Sequence, residues 1–391
     1  MNRKFLLLCM IIAASLFLLT SCREDGSPAS GGGADAGGEV RIGIIAPLSG
    51  PVSSYGIASS NGTILAFEEI DEILGRSINT FVYDDRHDTT EAITAFNRLV
   101  NQDNVIGIVG PVTSGPTNAV GGEAADTGVR IPMVSPTATH QDVTSHGDFI
   151  FRACFLDNFQ ARNMAVFAIE YLGAETAAIL YDVGSAYSEG LMVNFRDEFV
   201  RLGGTVVENQ AYQTGDVDFR TQLTTIRASE ADVLFLPDYY QTIALMAAQV
   251  RELGVTSTLL GVDGWEGVLD VLDDPSLMDG TFFSAHFAAD DPSPIVQNFI
   301  ASFTTRWGAP PNSFAALGFD AAHILAQAIE DAGSTDSGAI IEALQNIRFY
   351  GVTGNITFDD RGDPIKDLIV IQISTVNGET SGRYYERVSA N

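Results

Sequence analysis

From Val40 onward the chain alternates two hydrophobic patterns. Short apolar runs at residues 40–46 (VRIGIIA), 78–84 (INTFVYD), 105–110 and 131–135 read as strands, and helix-like runs at 57–74, 90–101 and 117–127 separate them. Strand and helix in alternation with short connections predict a parallel α/β sheet. A second series follows, with strands at 176–182 (TAAILYD), 204–211, 233–236 (VLFL) and 258–262 and helices near 189–202, 219–228 and 241–253. Each series is of domain size, so two open sheets are expected. The remaining segment holds helix patterns at 295–307, 314–332 and 337–345 and late strands at 355–358 and 368–374, which complete both lobes rather than form a third.

Two strands end on small hydroxylated residues just before a helix: 105–117 (VIGIVGPVTSGPT) and 131–139 (IPMVSPTAT). Such a turn leaves backbone N–H groups unpaired, and a Ser or Thr there adds a hydroxyl, which together make a seat for an anion. Ser114 and Thr139 are the candidate hydroxyls. The same pattern suits an ordinary helix N-cap. Their position favours a site, because open parallel sheets bind ligands beyond the carboxyl ends of their strands.

The N-terminus predicts export. Arg3 and Lys4 precede an apolar run at residues 5–19 and then Leu19-Thr20-Ser21-Cys22, the order of a signal peptide. The Leu-Thr-Ser-Cys ending resembles the lipobox of bacterial lipoproteins, which implies that residues 1–21 are removed and that Cys22 carries lipid. Residues 26–38 (GSPASGGGADAGG) lack large apolar side chains, so 22–39 are expected to be a flexible tether. Of the three cysteines, Cys9 falls in the signal and Cys22 takes lipid, leaving Cys154 as a small buried residue with no disulfide partner. The chain has 21 basic and 50 acidic residues, and losing Arg3 and Lys4 takes its charge from −29 to −31. Nucleic acid is therefore not an expected partner, since phosphate backbones are bound through Lys and Arg.

Catalytic motifs are missing. The chain has no Gly-x-Ser-x-Gly, Ser-x-x-Lys, His-Glu-x-x-His, phosphate-binding Gly-x-x-x-x-Gly-Lys or Cys-x-x-Cys. His87, His140, His146, His286 and His323 have no metal-ligand spacing, so neither an enzyme nor a cofactor is expected. His140 is either a cleft residue or an exposed loop histidine. Arg361-Gly362-Asp363 reads as a turn after a strand rather than an adhesion tripeptide.

Residues 46–56 (APLSGPVSSYG), 110–117, 135–139, Tyr187-Ser188-Glu189-Gly190 and 260–265 (LGVDGW) occur in the order seen in the type I periplasmic-binding-protein fold. The chain most resembles the leucine/isoleucine/valine-binding proteins of branched-chain amino acid ABC importers. That resemblance implies two α/β lobes with a ligand cleft between them, joined by crossings near Asp157, Ser284 and Phe349. Lobe 1 would hold residues 40–157 plus 285–349, and lobe 2 residues 158–284 plus 350–391.

The family's ligand contacts carry over by position. Ser114 falls where a serine holds the ligand α-carboxylate, Thr139 where a threonine serves carboxylate and ammonium, and Thr137 where a backbone carbonyl takes the ammonium, leaving the side chain free to differ. Asp263 matches the acidic partner of the ammonium, a glutamate in the leucine-type proteins. The shorter aspartate calls for a bridging water or tighter closure. Tyr55, Tyr187, Tyr239 and Phe314 match the wall around the ligand side chain, and Trp265 adjoins Asp263. His87 and Thr113 stand at the positions of a disulfide found in some members.

The implied protein is a monomeric, lipid-anchored, periplasmic or extracytoplasmic solute-binding protein. It would capture a branched-chain or similar apolar amino acid by lobe closure and deliver it to an ABC permease. Two alternatives stay open: capture of a small amide or urea-like solute, and a ligand-sensing module for a membrane receptor.

Overall fold

The computed structural model describes residues 38–388; the signal peptide, Cys22 and the tether as far as residue 37 lie outside them. The chain begins with β1 (Val40–Ala46), α1 (Ser53–Ile70), β2 (Glu72–Ile73), β3 (Arg76–Asp84), α2 (Thr89–Arg98), β4 (Gly107–Val109), α3 (Ser114–Thr127), β5 (Met133–Ser135) and β6 (Ile150–Arg152). These strands form one sheet in the order β2-β3-β1-β4-β5-β6, parallel except for the β2–β3 hairpin. Ile42, Ile44, Ile108, Val109, Met133 and Val134 are all buried, as expected of parallel strands covered on both faces.

The second lobe opens with α4 (Asp157–Glu170), β7 (Thr176–Asp182), α5 (Ala186–Arg201), β8 (Thr205–Tyr212), α6 (Arg220–Ser229), β9 (Val233–Phe235), α7 (Tyr240–Leu253), β10 (Thr258–Gly261), the short α8 (Val268–Val271) and β11 (Thr281–Ala285). The chain then returns to the first lobe through α9 (Pro294–Trp307), α10 (Ser313–Ala332) and α11 (Ser337–Gln345), followed by a small antiparallel sheet of β12 (Phe349–Gly351), β13 (Gly354–Phe358) and β14 (Pro364–Ile365). Finally β15 (Leu368–Val376) and β16 (Glu379–Val388) join the second sheet, whose order is β16-β15-β11-β10-β9-β7-β8. β15 and β16 are antiparallel additions to an otherwise parallel sheet. The pattern of apolar residues does not announce α4, the five-residue β11 or the largely exposed β16.

In each sheet the strand order reverses once, between β1 and β4 in the first and between β7 and β9 in the second. The loops that leave the carboxyl ends at such a switch point diverge and open a crevice. Most of the site below is built by loops that leave the carboxyl ends of strands in the two sheets, at and beside these switch points, and Phe314 adds to it from the start of α10.

The third crossing departs from expectation. It runs over Lys366-Asp367 instead of near Phe349, because the small sheet pairs only within itself and packs on first-lobe residues. The Asp320 carboxylate of α10 accepts the N–H groups of Val352 (2.9 Å) and Thr353 (2.8 Å). The Phe358 ring lies 5.1 Å from that of Phe151. Lys366 donates to Ala153 O at 3.0 Å and Thr353 Oγ1 at 2.7 Å, tying the first and third crossings together. Burial brings its ammonium pKa down to about 8.

Helices α1 and α10 cross at backbone contact. A Cβ on Gly62 would stand 1.9 Å from Ala315 O, and one on Gly318 would stand 2.1 Å from Ser59 O. Thr63 Oγ1 uses this approach to donate to Gly318 O at 3.1 Å. Gly318→Ala is therefore expected to push the helices apart and cost about 1–3 kcal/mol, as overpacking of a tight core does. A urea-denaturation midpoint equal to wild type would show that the crossing yields freely.

Candidate functional site between the lobes

Residues 110–113 leave β4 and α3 begins at Ser114. Thr113, at the N-cap, makes no capping hydrogen bond with its side chain, and the Ser114 hydroxyl accepts the N–H of His140 at 3.2 Å instead of capping its own helix. The N–H groups of Ser114 and Gly115 thus keep their anion-binding capacity, while Pro116 has none to offer and Thr117 N–H is taken by Thr113 O at 3.0 Å. The loop after β5 is stapled beside this one. Ser135 Oγ donates to Pro111 O at 2.7 Å, and the Thr137 hydroxyl donates to Val112 O, so the Thr137 side chain is in use rather than free to vary. Thr139, almost fully buried, has a hydroxyl with no hydrogen-bond partner.

Arg152 sets the position of this second loop. Fully buried at the end of β6, it donates from one guanidinium nitrogen to Ala138 O (2.9 Å) and His140 O (2.8 Å), while its Nε lies 2.8 Å from Asp363 Oδ1. Arg361-Gly362-Asp363 is accordingly a turn with its aspartate buried in an ion pair. His140 contributes backbone groups to the seat, and its side chain is largely covered.

Asp263 follows β10 as the first residue of a tight turn, and its carboxylate is held by groups from three other segments. Oδ1 accepts from Tyr187 OH on α5 (2.7 Å) and from Gln160 Nε2 on α4 (3.0 Å); Oδ2 lies 3.2 Å from His286 Nε2, just after β11. Gln160 Oε1 in turn accepts from Ser284 Oγ at 2.8 Å and from the Asp263 N–H at 3.3 Å. The His286 ring stacks on Phe155 with centroids 3.6 Å apart. Burial lowers its pKa to about 4, outweighing the Asp263 hydrogen bond and charge. A neutral ring with its proton on Nε2 donates a hydrogen bond to Asp263 Oδ2. A carboxylate offers about four lone-pair positions, so one on Oδ2 remains open.

Aromatic rings form the wall. Tyr187 and Tyr239 stack at 4.7 Å, and the Tyr55 ring meets Phe314 edge-on at 4.3 Å and Tyr239 at 5.7 Å. Tyr55 also joins the lobes, donating to Gly264 O and accepting the Tyr240 N–H at 3.1 Å. Burial raises the phenol pKa values of Tyr55, Tyr187 and Tyr239, so all three stay neutral donors. His87 Nδ1 and Thr113 Oγ1 lie 2.9 Å apart, a hydrogen bond at the positions where some members have a disulfide.

The cavity between these groups has a volume of about 10 Å³, lined by Tyr55, Ser114, Thr137, Thr139, Tyr187, Tyr239, Asp263 and Phe314 together with Val112, Thr113 and Gly264. That is room for about one water, so a larger solute enters only as the two lobes part. Trp265 does not join them. It is fully buried beneath the Asp263 turn, with its Nε1–H on Leu236 O at 2.9 Å and its ring against Gly261, where it packs the core. Gln160, Arg152 and His286 are the supports that motif reading misses; Asp157 and Gln160, spaced i, i+3 at the start of α4, are the one periodic hint. Among the described residues no three His, Cys, Asp or Glu side chains gather as a metal site.

Two sheets, each mostly parallel, carry the residues on either side of this cleft, and residues 39–380 match the family model described as Periplasmic binding protein. The chain belongs to that family, in its type I fold, and resembles its Leu/Ile/Val-binding members. It is 32% identical over 331 residues to the Leu/Ile/Val-binding protein BraC3 of Rhizobium johnstonii, which covers 83% of this chain and 89% of that protein. The crystal structure of the leucine-binding protein LivK from Thermotoga maritima matches with a TM-score of 0.84 at 33% identity, over 90% of this chain and 99% of that one. LivJ from Streptococcus pneumoniae, a branched-chain amino acid transporter substrate-binding protein solved with isoleucine, matches with a TM-score of 0.82 at 28% identity, over 89% and 99%. These relatives are solute-binding proteins, not enzymes.

Arg152→Met removes the donors to Ala138 O and His140 O and leaves Asp363 buried without its main partner. Breaking a buried pair in this way is expected to cost about 3–5 kcal/mol of stability. Denaturant unfolding that matches wild type would mean that the loop carrying Thr139 does not depend on the guanidinium.

Proposed function

We propose that this chain is the solute-binding component of an ABC importer and captures leucine, isoleucine, valine or a similar apolar amino acid. The observation that carries this reading is the pairing of opposite polarities around one small cavity. On the first lobe lie the α3 N-terminus and the unpartnered Thr139 hydroxyl; on the second lies a carboxylate with an open lone pair. A zwitterion answers both. Its carboxylate takes the N–H groups and the Ser114 and Thr139 hydroxyls, and its ammonium takes Asp263, with help from the Thr137 carbonyl. Tyr55, Tyr187, Tyr239 and Phe314 surround the apolar side chain and exclude water. Asp263 favours an ammonium over an amide or a urea.

Because seat and countercharge belong to different lobes, the ligand bridges them, and its better contacts in the closed form drive closure. No covalent step is required. The relatives' names support amino acids as the ligand class, and the family supports a location outside the cytoplasm. No helix among the described residues is long and apolar enough to cross a membrane. The Leu19-Thr20-Ser21-Cys22 ending supports attachment through lipid on Cys22, with delivery to a permease from that tether.

Two measurements test this. In titration calorimetry with the three branched-chain amino acids, Asp263→Ala leaves the ligand cation without its buried partner, a loss of about 3–5 kcal/mol or at least a hundredfold in affinity. Wild-type affinity in that variant would overturn the amino-acid assignment. Cys22→Ser is expected to move the protein from the membrane to the soluble fraction on fractionation, and unchanged sedimentation with membranes would overturn the anchor alone.

A further inference from the structure

Behind Thr139 stands a second acid. Asp157, the first residue of α4 and 1% exposed, donates its backbone N–H to Thr139 O at 2.9 Å. Its Oδ1 accepts from Gln160 Nε2 at 3.0 Å, the same nitrogen that donates to Asp263 Oδ1. Its Oδ2 is buried without a hydrogen-bond partner, and so is the Thr139 hydroxyl oxygen. The two orphans belong to residues joined by that backbone hydrogen bond, and each lacks a partner for its side-chain oxygen in this structure. We infer that Asp157 keeps its carboxyl proton, donates it to the Thr139 oxygen and thereby turns the Thr139 proton toward the carboxylate of the bound ligand. This rests on the amino-acid reading above.

Proton counting supports it. Thr139 has one proton. If Asp157 were ionised it would take that proton as an acceptor, and none would remain for the ligand carboxylate. With Asp157 in its acid form, the carboxyl O–H enters one lone pair of the hydroxyl, the second lone pair is open to the ammonium, and the hydroxyl proton serves the carboxylate. The donors also divide in this way. Asp263 takes three donors and Asp157 takes one.

The groups around Asp157 agree. Gln160 comes from its own helix, Tyr187 from α5, Tyr239 from the end of the β9–α7 loop, Asp263 from beyond β10, Arg152 and Cys154 from β6 and the segment after it, and the His140 ring, which with Asp157 Oδ2 lies over Gly190 of α5, from the loop after β5. Arg152 is the cation among them, and it is engaged by Asp363 at 2.8 Å. Burial, followed by the charge of Asp263, raises the Asp157 carboxyl to about 8, against the weaker pull of Thr139, Gln160 and Arg152. Asp157 is a positioning residue for Thr139 and does not line the cavity.

Leucine affinity of wild type, Asp157→Asn and Asp157→Ala, measured by calorimetry from pH 6 to 9, tests the proton. The asparagine keeps a donor toward Thr139 and does not titrate; the alanine keeps neither property. At pH 7 Asp157→Asn is expected to bind within about threefold of wild type, and Asp157→Ala at least about tenfold worse. Above pH 8 wild type alone loses the acid form, so by pH 9 the ratio of Asn-variant to wild-type affinity rises about tenfold. The ligand amine titrates equally with both proteins and cancels in that ratio. A ratio that stays flat from pH 6 to 9, or an Asn variant as weak as the Ala variant at pH 7, overturns the inference. So does release of one proton per leucine bound at pH 7. Wild type that binds none of the three branched-chain amino acids overturns the amino-acid reading and this inference with it, whereas a flat ratio in a wild type that binds leucine overturns the proton alone.

Discussion

A carboxylate cannot sit in a closed, water-poor cleft unless donors surround it, and the second lobe is organised around meeting that demand for Asp263. α4 supplies Gln160, α5 supplies Tyr187, and the end of β11 supplies His286, whose ring is fixed by stacking on Phe155. Each donor is itself held: Gln160 by Ser284 and the Asp263 N–H, and the Tyr187 oxygen by the Gly264 N–H at 3.0 Å. The carboxylate therefore has one position, and the elements that hold it are fixed relative to one another. A polar network this complete is costly to disturb and specifies a single arrangement.

The first lobe meets a different demand with the same economy of parts. It has to present N–H groups and hydroxyl protons free to donate, which requires loops that are rigid without using those donors. Arg152 does this from beneath through carbonyl oxygens, and Ser135 and Thr137 do it from the side. Asp363 reaches Arg152 from the turn ahead of β14, so the seat and the third crossing share one buried ion pair. Lys366, with Thr353 and Asp320, extends that polar seam to α10.

Much of the fold was legible because parallel strands buried on both faces leave continuous apolar runs, and the residues just past their carboxyl ends carry the site. Ser114 and Thr139 are read from that rule, whereas Asp263 and the tyrosines come from the resemblance to the leucine/isoleucine/valine-binding proteins. Trp265 misleads because adjacency to Asp263 in sequence says nothing of side-chain direction in a tight turn, and its ring folds back on Gly261. Gln160, Arg152 and His286 stay hidden because a buried polar side chain is defined by partners distant in sequence: Gln160 and Asp263 are 103 positions apart. The small sheet hides for a related reason. Its strands satisfy one another, and contacts distant in sequence, such as the Asp320 carboxylate on α10 and the Phe151 ring, declare to which lobe they belong.

The two sheets are interleaved along the chain in a way that bears on the order of assembly. α10, which packs on α1, begins at residue 313, and β15, which pairs with β11, begins at residue 368. A chain emerging from its N-terminus thus holds two unfinished lobes until nearly all of it is made. Autonomous domains fold as units while synthesis proceeds, but here neither half has its full complement of partners to fold against early. The long-range pairings raise the loop-closure entropy and slow collapse. A nascent chain of this topology stays extended late, which is the condition a translocation pore requires of its passenger.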